Sequence, residues 1–194
     1  MAEASRRGPL QGVRVIEFAG LGPGPFGGML LSDLGAEVIR VEPETGDPIR
    51  QLPASEVWFR GQKSVRLASD RVADGSWRRL RDSADVVLTT CQPWTEKPTG
   101  LLDGWANPSP QVLAVLTAHP RSVDEALADA LSGTGTPVYG ELLEAEYGLL
   151  NWQGGYREGP IFLAFPHAAY GAAWLIAGAI VGALFQRERT GLGQ

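Results

Sequence analysis

From Gly12 to Glu42 the chain reads as a strand, a glycine-rich turn, a helix and a second strand, and no other stretch restricts its fold as strongly. Val13 to Phe18 is a short apolar strand interrupted by Arg14 and Glu17. The run Gly-Leu-Gly-Pro-Gly-Pro at residues 20 to 25 breaks it sharply. Pro25 suits a first helical turn, where its missing amide donor costs nothing. Met29, Leu30 and Leu34 then recur at helical spacing until Gly35 supplies a stop. Val38, Ile39 and Val41 form the next strand, with Glu42 near its carboxyl end. Such a unit is right-handed and parallel, which predicts the first half of a doubly wound sheet.

The same alternation continues downstream. Ser64 to Leu67 and Ala84 to Thr89 read as strands, with a helix from Asp74 to Arg81 between them that sets Trp77 and Leu80 on one face. A short helix over Thr99 to Trp105 precedes a strand at Val112 to Thr117. Residues Ser122 to Leu131 and Val138 to Leu150 have helical patterns. A long apolar helix runs roughly from Ala168 to Arg187 and ends in a basic turn with a glycine stop. The expected fold is α/β: a Rossmann-like, doubly wound parallel sheet, with residues 1–194 forming one domain and 160–190 a long apolar interface or core helix. A chain of 194 residues is long enough for one buried core.

Charge and composition exclude several roles. The net charge is −5 with both signs interspersed, so the chain lacks the basic footprint of a nucleic-acid partner. Its single cysteine, Cys91, rules out an intramolecular disulfide framework and fits a reducing, cytoplasmic compartment. Two histidines and one cysteine far apart give no metal-site spacing. The first residues carry no apolar core of a secretory signal. Pro160 to Gln186 holds no formally charged residue and is long enough to span a bilayer. Its alanines and glycines, with Pro166 and His167 inside, favour a helix packed on protein over a membrane span.

Candidate binding residues fall in two groups. Gly20, Gly22, Pro23 and Gly24 let backbone approach a bound group ahead of a helix amino end. The spacing Gly22-x-Gly24-x-x-Gly27 matches a dinucleotide pattern, but Pro23 and Pro25 each remove an amide donor, which argues against nicotinamide binding and leaves a tight crossover as the plain alternative. Arg50, Arg60 and Lys63 lie beside a polar stretch expected to be irregular. They suit phosphate, or else an ordinary solvated face. His119 and His167 are the neutral-pH proton carriers, each beside a proline and each more simply structural. Asp47, Asp82 and Asp85 fit no paired-carboxylate or triad pattern. Trp58, Trp94 and Trp152 lie near loops where they could stack on a flat ring, whereas Trp77, Trp105 and Trp174 look like core or interface residues.

Pro9 to Gly20, Gly22-Pro-Gly-Pro and Leu31 to Glu42 closely resemble the amino end of the class III CoA-transferases, a family that includes formyl-CoA transferase, carnitine CoA-transferase and alpha-methylacyl-CoA racemase. The likeness continues through Gly46 to Arg50, Arg60 to Val65, Ala84 to Val87, Ala145 to Leu149, Gly155 to Pro160 and Arg187 to Gln194. It covers the family's amino-terminal half. The resemblance implies acyl-CoA as substrate on a Rossmann-like domain, interlocked subunits, and adenosine-phosphate contacts from Arg50, Arg60 and Lys63. It also implies a catalytic aspartate just before the long apolar helix, and here that place holds His167, Ala168 or Ala169. Three functions follow from the resemblance. One is a subunit of a heteromeric CoA-transferase whose homologous partner supplies the aspartate. Another is a CoA-thioester-binding or regulatory subunit, and the third is a racemase, isomerase or lyase using His167.

Overall fold

A computed structural model of the chain describes residues 8–19, 23–67, 76–90, 109–117, 119, 140–152, 154–163 and 165–194. Five parallel strands form one sheet: β1 (Arg14–Phe18), β2 (Glu37–Pro43), β3 (Lys63–Leu67), β4 (Val86–Thr90) and β5 (Val112–Leu116). Their spatial order is β3-β2-β1-β4-β5, so the chain works outward from β1 in one direction and then crosses back past it. β1 lies at the centre, with Ile16 opposite Ile39 on one side and Val87 on the other. The described helices are α1 (Pro23–Asp33), α2 (Ser55–Trp58), α3 (Ser76–Asp82), α4 (Gly140–Glu146) and α5 (His167–Thr190).

The strand pleat sends alternate residues to opposite faces, and both faces are buried. Val15, Val38, Val86, Leu88, Val112 and Ala114 pack with Leu31 of α1 and with Ala177, Ile180 and Ala183 of α5. Ile16, Phe18, Val41 and Val87 pack on the other side with Trp77 of α3. Trp77 is 1% exposed and its ring lies 5.3 Å from that of Phe18, as its core placement from sequence predicts.

Helix α1 is described from Pro23, which leaves Pro25 in its first turn as the sequence predicts. The first four amides of a helix have no intrahelical acceptor, so prolines at the first and third positions both fit without losing a bond. The stretch after β2 is more regular than its polarity suggests. Asp47 accepts the Ile49 amide at 2.8 Å and caps a 3₁₀ turn over Pro48–Gln51, and α2 follows directly. The predicted helix Val138 to Leu150 is described from Gly140 and stops at Glu146, because Gly148 adopts φ 76° and opens a second 3₁₀ turn at Leu149–Asn151. The predicted helices at Thr99 to Trp105 and Ser122 to Leu131 lie outside the described residues.

Helix α5 runs from His167 to Thr190, so the helix expected over residues 160–190 begins later than its first bound, with Pro166 standing at its cap. It ends where the sequence predicts, with Gly191 at φ 75° donating to the Arg187 carbonyl at 2.8 Å. Its small buried residues Ala173, Ala177 and Ala183 let it lie close against α1 and the sheet. Arg187 reaches Asp85, at the entrance to β4, at 2.6 Å and anchors the last turn. Beyond it, Gly193 donates to Ser109 at 2.8 Å and Gln194 accepts from Leu113 at 2.9 Å, which lays the final residues along the β5 edge.

Candidate functional site

The carboxyl ends of parallel strands are where open α/β sheets place ligands. On the α1 side of β1 and β2 that region is filled by charge. Register sets Glu17 opposite Arg40, and the Arg40 guanidinium donates to Glu17 Oε1 at 2.7 Å. Arg40 also pairs with Asp47, and its guanidinium carbon lies 4.2 Å from the Phe59 ring centre. Glu42 accepts from Arg50 Nε at 2.7 Å, from Ser64 at 2.7 Å and from the Asp47 amide at 3.1 Å. Glu17, Arg40, Glu42 and Asp47 are all buried.

The two glutamates respond to this setting in opposite ways. Burial pushes Glu17 up to about 7 against the pull of Arg40, and its Oε2 has no hydrogen-bond partner among the described residues. Burial also works against ionised Glu42, but the bonds from Arg50, Ser64 and Asp47 outweigh it and hold the carboxyl at about 2. Glu42 in turn raises Arg50, chiefly through their hydrogen bond. The network positions the chain between β2 and α2: Arg40 and Arg50 both lie against Phe59 while gripping Asp47 and Glu42. Sequence reading identifies Glu17 only as an interruption of a strand and Asp47 as an unsupported nucleophile. The signal available was the polar residue at an inward-facing strand position.

The expected phosphate-binding cations are each held by a carboxylate. Arg50 is tied to Glu42, Arg60 to Asp33, and Lys63 to Glu37 at 2.7 Å. Lys63 and Arg14 together draw Glu37 below the usual carboxylate range. These cations do not share one irregular loop. Arg50 lies in the 3₁₀ turn, Arg60 follows α2, and Lys63 opens β3. Their side chains remain 42%, 45% and 61% exposed, so the far side of each faces solvent.

Among the glycine-turn candidates, Pro23 and Gly24 are buried in the first turn of α1, and Gly20 and Gly22 lie outside the described residues. Gly24 serves close packing: a β-carbon there would overlap Ala19 at the end of β1. The tight crossover weighed from sequence accounts for this position.

The amino end of α5 forms a second cluster. His167 is its first residue and is exposed, with its ring edge-on to Phe165 at 4.9 Å. Phe165 stacks on Tyr170 at 4.5 Å, Phe26 meets Tyr170 at 4.4 Å, and the Trp58 indole donates to the Tyr170 hydroxyl at 3.2 Å. Sequence analysis did not single out Glu144, whose carboxylate lies in this cluster. It is 2% exposed and accepts the Ala168 amide at 2.9 Å, capping a helix whose own Pro166 provides no side-chain cap. A carboxylate from α4 therefore stands beside the residues where the family resemblance puts an aspartate. His119 lies 3.7 Å from Glu146, away from this cluster's hydrogen bonds. Trp152 is 82% exposed, and Trp174, expected as core or interface, is 63% exposed. Trp94 and Trp105 lie outside the described residues.

Comparison with known proteins gives these features a common setting. Residues 10–194 match the model of CoA-transferase family III. The probable fatty acyl-CoA transferase Rv3272 of Mycobacterium tuberculosis is 32% identical over 95% of this chain and 48% of its own length. A crystal structure of that protein superposes with a TM-score of 0.74, covering 96% of this chain and 52% of its own. Mouse alpha-methylacyl-CoA racemase is 34% identical over 95% of this chain and 46% of its length. The succinyl-CoA–L-malate CoA-transferase alpha subunit of Chloroflexus aurantiacus is 30% identical over 48% of this chain. The chain spans about half the length of the curated relatives it matches. With the parallel sheet, the long apolar helix and the match along nearly its whole length, the chain belongs to CoA-transferase family III.

Proposed function

We propose that this chain is one subunit of a heteromeric enzyme exchanging coenzyme A between an acyl-CoA and a free carboxylate, and that a homologous partner subunit supplies the catalytic aspartate. The observation that carries the reading is the family match over residues 10–194 combined with His167-Ala168-Ala169 at the start of α5. A relative whose name includes "alpha subunit" supports division of this chemistry between chains. The β3-β2-β1-β4-β5 order supports reading the chain as a Rossmann-like, doubly wound half of the assembly.

In the exchange, a carboxylate oxygen attacks the thioester carbonyl, and the carbon–sulfur bond breaks to release the CoA thiolate and leave a mixed anhydride. The thiolate then attacks the enzyme's own carbonyl, expelling the first acyl group as its carboxylate and leaving an enzyme–CoA thioester. An acceptor carboxylate reverses both steps. A covalent intermediate of this kind splits one difficult exchange into easier ones. In this reading the solvent-exposed sides of Arg50, Arg60 and Lys63 contact the phosphates, and the Phe26–Trp58–Phe165–Tyr170 cluster lines the reacting end.

The experiment is to incubate the complex with acyl-CoA, trap it with hydroxylamine, and locate the hydroxamate by mass spectrometry. Label on an aspartate of the partner is expected. Label on Glu144 of this chain would show that it carries its own nucleophile and would overturn the partner-supplied carboxylate. A second reading, acid–base chemistry at His167, draws on the exposed position of that ring and the likeness to a racemase. It predicts exchange of the acyl α-hydrogen with deuterated water, abolished in His167→Ala.

A further inference from the structure

Three carboxylates and two guanidiniums meet behind the ends of β1 and β2. Glu17 of β1 accepts from Arg40 of β2 at 2.7 Å, Arg40 also holds Asp47, and its Nε lies 3.9 Å from Glu42. Glu42 in turn accepts from Arg50 Nε at 2.7 Å. With every group ionised the cluster carries one negative charge in excess, and the excess has no answer at Glu17. Its Oε1 is spent on Arg40, while its Oε2 is buried without a hydrogen-bond partner among the described residues. Helix α1 offers it none: Gly24 and Gly28, one turn apart, face the carboxyl, and β-carbons there would stand 3.5 Å from Oε1 and 2.6 Å from Oε2. The one titratable side chain of α1, Asp33, lies at its far end and pairs with Arg60. On the other side β4 sets Leu88 beside Glu17, and β3 gives Ser64 to Glu42 while Arg66 turns to Gly46.

A cluster that served packing alone would balance its charges, because an uncompensated buried charge is costly. Here the balance is reached by one proton, and Glu17, held at about 7 by burial, is poised to gain or lose it near neutral pH. From Glu17 the contacts alternate in sign out to the surface. Arg40, Asp47 and Glu42 are buried, and the Arg50 side chain that ends the series is 42% exposed. The Phe59 ring lies 4.2 Å from the Arg40 guanidinium carbon and 5.1 Å from that of Arg50. An apolar ring over both leaves little water to screen one end of the series from the other.

We propose that Glu17 is a proton site coupled to anion binding: a pyrophosphate seated on the solvent side of Arg50 draws a proton onto Glu17, and that proton strengthens the hold on the pyrophosphate. The inference rests on reading Arg50 as a phosphate contact of a CoA-type nucleotide. An anion on Arg50 shares the guanidinium with Glu42 and adds negative charge to a cluster that already has an excess. Like charge disfavours the ionised form of the one carboxyl that is not fully bonded. The proton comes from solvent and goes to Oε2, while Oε1 keeps its bond from Arg40. Coupling of this kind is reciprocal, so whatever proton the anion draws in must also make the anion bind more tightly where Glu17 is neutral. Glu17 touches no ligand; it acts through Arg40, Glu42 and Arg50 as a positioning residue.

The test is titration calorimetry of the 194-residue chain with 3′-dephospho-CoA, whose pyrophosphate keeps one charge state between pH 6 and 8. At pH 7, in two buffers of different ionisation enthalpy, binding should take up about 0.3 of a proton, and Kd should weaken about three- to fourfold from pH 6 to pH 8. Glu17→Gln, which mimics the protonated side chain, should take up none and hold the parent's pH 6 affinity throughout, with its circular dichroism unchanged. Asp47→Asn removes a negative neighbour by another route and should move the weakening to lower pH, which decides the matter even if Glu17→Gln does not fold. No uptake by the parent, or equal uptake by the parent and Glu17→Gln, overturns the proposal. Binding of CoA but not of its dephospho form also overturns it, since the pyrophosphate then has no hold at Arg50. A chain that binds neither at any pH overturns the CoA reading itself, and this inference with it.

Discussion

Arg40 donates to Glu17 at 2.7 Å from the directly opposite register position, and both side chains are sealed from solvent between the sheet and α1. A buried carboxylate whose second oxygen has no partner holds its proton more tightly in the fold than in the open chain. With Glu17 raised from 4.5 to about 7, its contribution to stability is complete below pH 4.5 and is lost as pH rises through about 7. Glu42 acts in the opposite sense: with its carboxyl lowered to about 2, its contribution is present above pH 4.5 and lost as pH falls towards 2. Between pH 5 and 7.5 the Glu17 effect governs, on the order of 3 kcal/mol in full. Urea midpoints of the parent chain should fall across that window, and those of Glu17→Gln should stay level. A parent profile as flat as the variant's would refute the assignment.

Gly28 of α1 faces the same carboxylate. A β-carbon there would stand 2.6 Å from Glu17 Oε2 and 3.2 Å from the Gln62 side-chain nitrogen, with Val38 behind at 3.4 Å. Gly28→Ala therefore pries α1 from the sheet at the network and should cost about 1–3 kcal/mol. Gly171→Ala, in a helix position with open space, should instead gain up to about 1 kcal/mol through helix propensity. Thermal denaturation of both variants checks the pair of opposite signs.

Asp85 joins distant parts of the chain, accepting the Arg14 amide at 2.8 Å with one oxygen and the Arg187 guanidinium at 2.6 Å with the other. The ion pair is about 70% buried on each side. A double-mutant cycle with Asp85→Asn and Arg187→Met should give a coupling of about 1 kcal/mol, reduced from its full value by the remaining solvent. Coupling indistinguishable from zero would mean that this pair adds nothing to the hold on α5.

Glu144 caps α5 through the Ala168 amide, so its role can be separated from its charge. Glu144→Gln retains an acceptor and should lose only a few tenths of a kcal/mol, whereas Glu144→Ala should lose about 1 kcal/mol, the usual worth of a cap. Equal midpoints for the two variants would exclude the cap as the reason for its burial.

Local chemistry wrote most of the fold into the sequence. The strand cores around Val15, Val38, Val65, Val86 and Val112, the glycine punctuation before α1 and the stop at Gly191 depend on residues within a few positions of one another, and all were legible there. The family was legible for the same reason, since its motifs are contiguous. Tertiary structure alone decided what the polar residues do. Glu17, Arg40 and Asp47 meet because parallel register places β1 against β2 and a capped turn folds back over them. Glu144 reaches α5 because α4 packs against it, and Arg50, Arg60 and Lys63 find carboxylates that no spacing rule connects to them. A burial pattern repeats along the chain and can be read by period. An ion pair between distant segments has no period, and its partners are chosen by the geometry that burial creates.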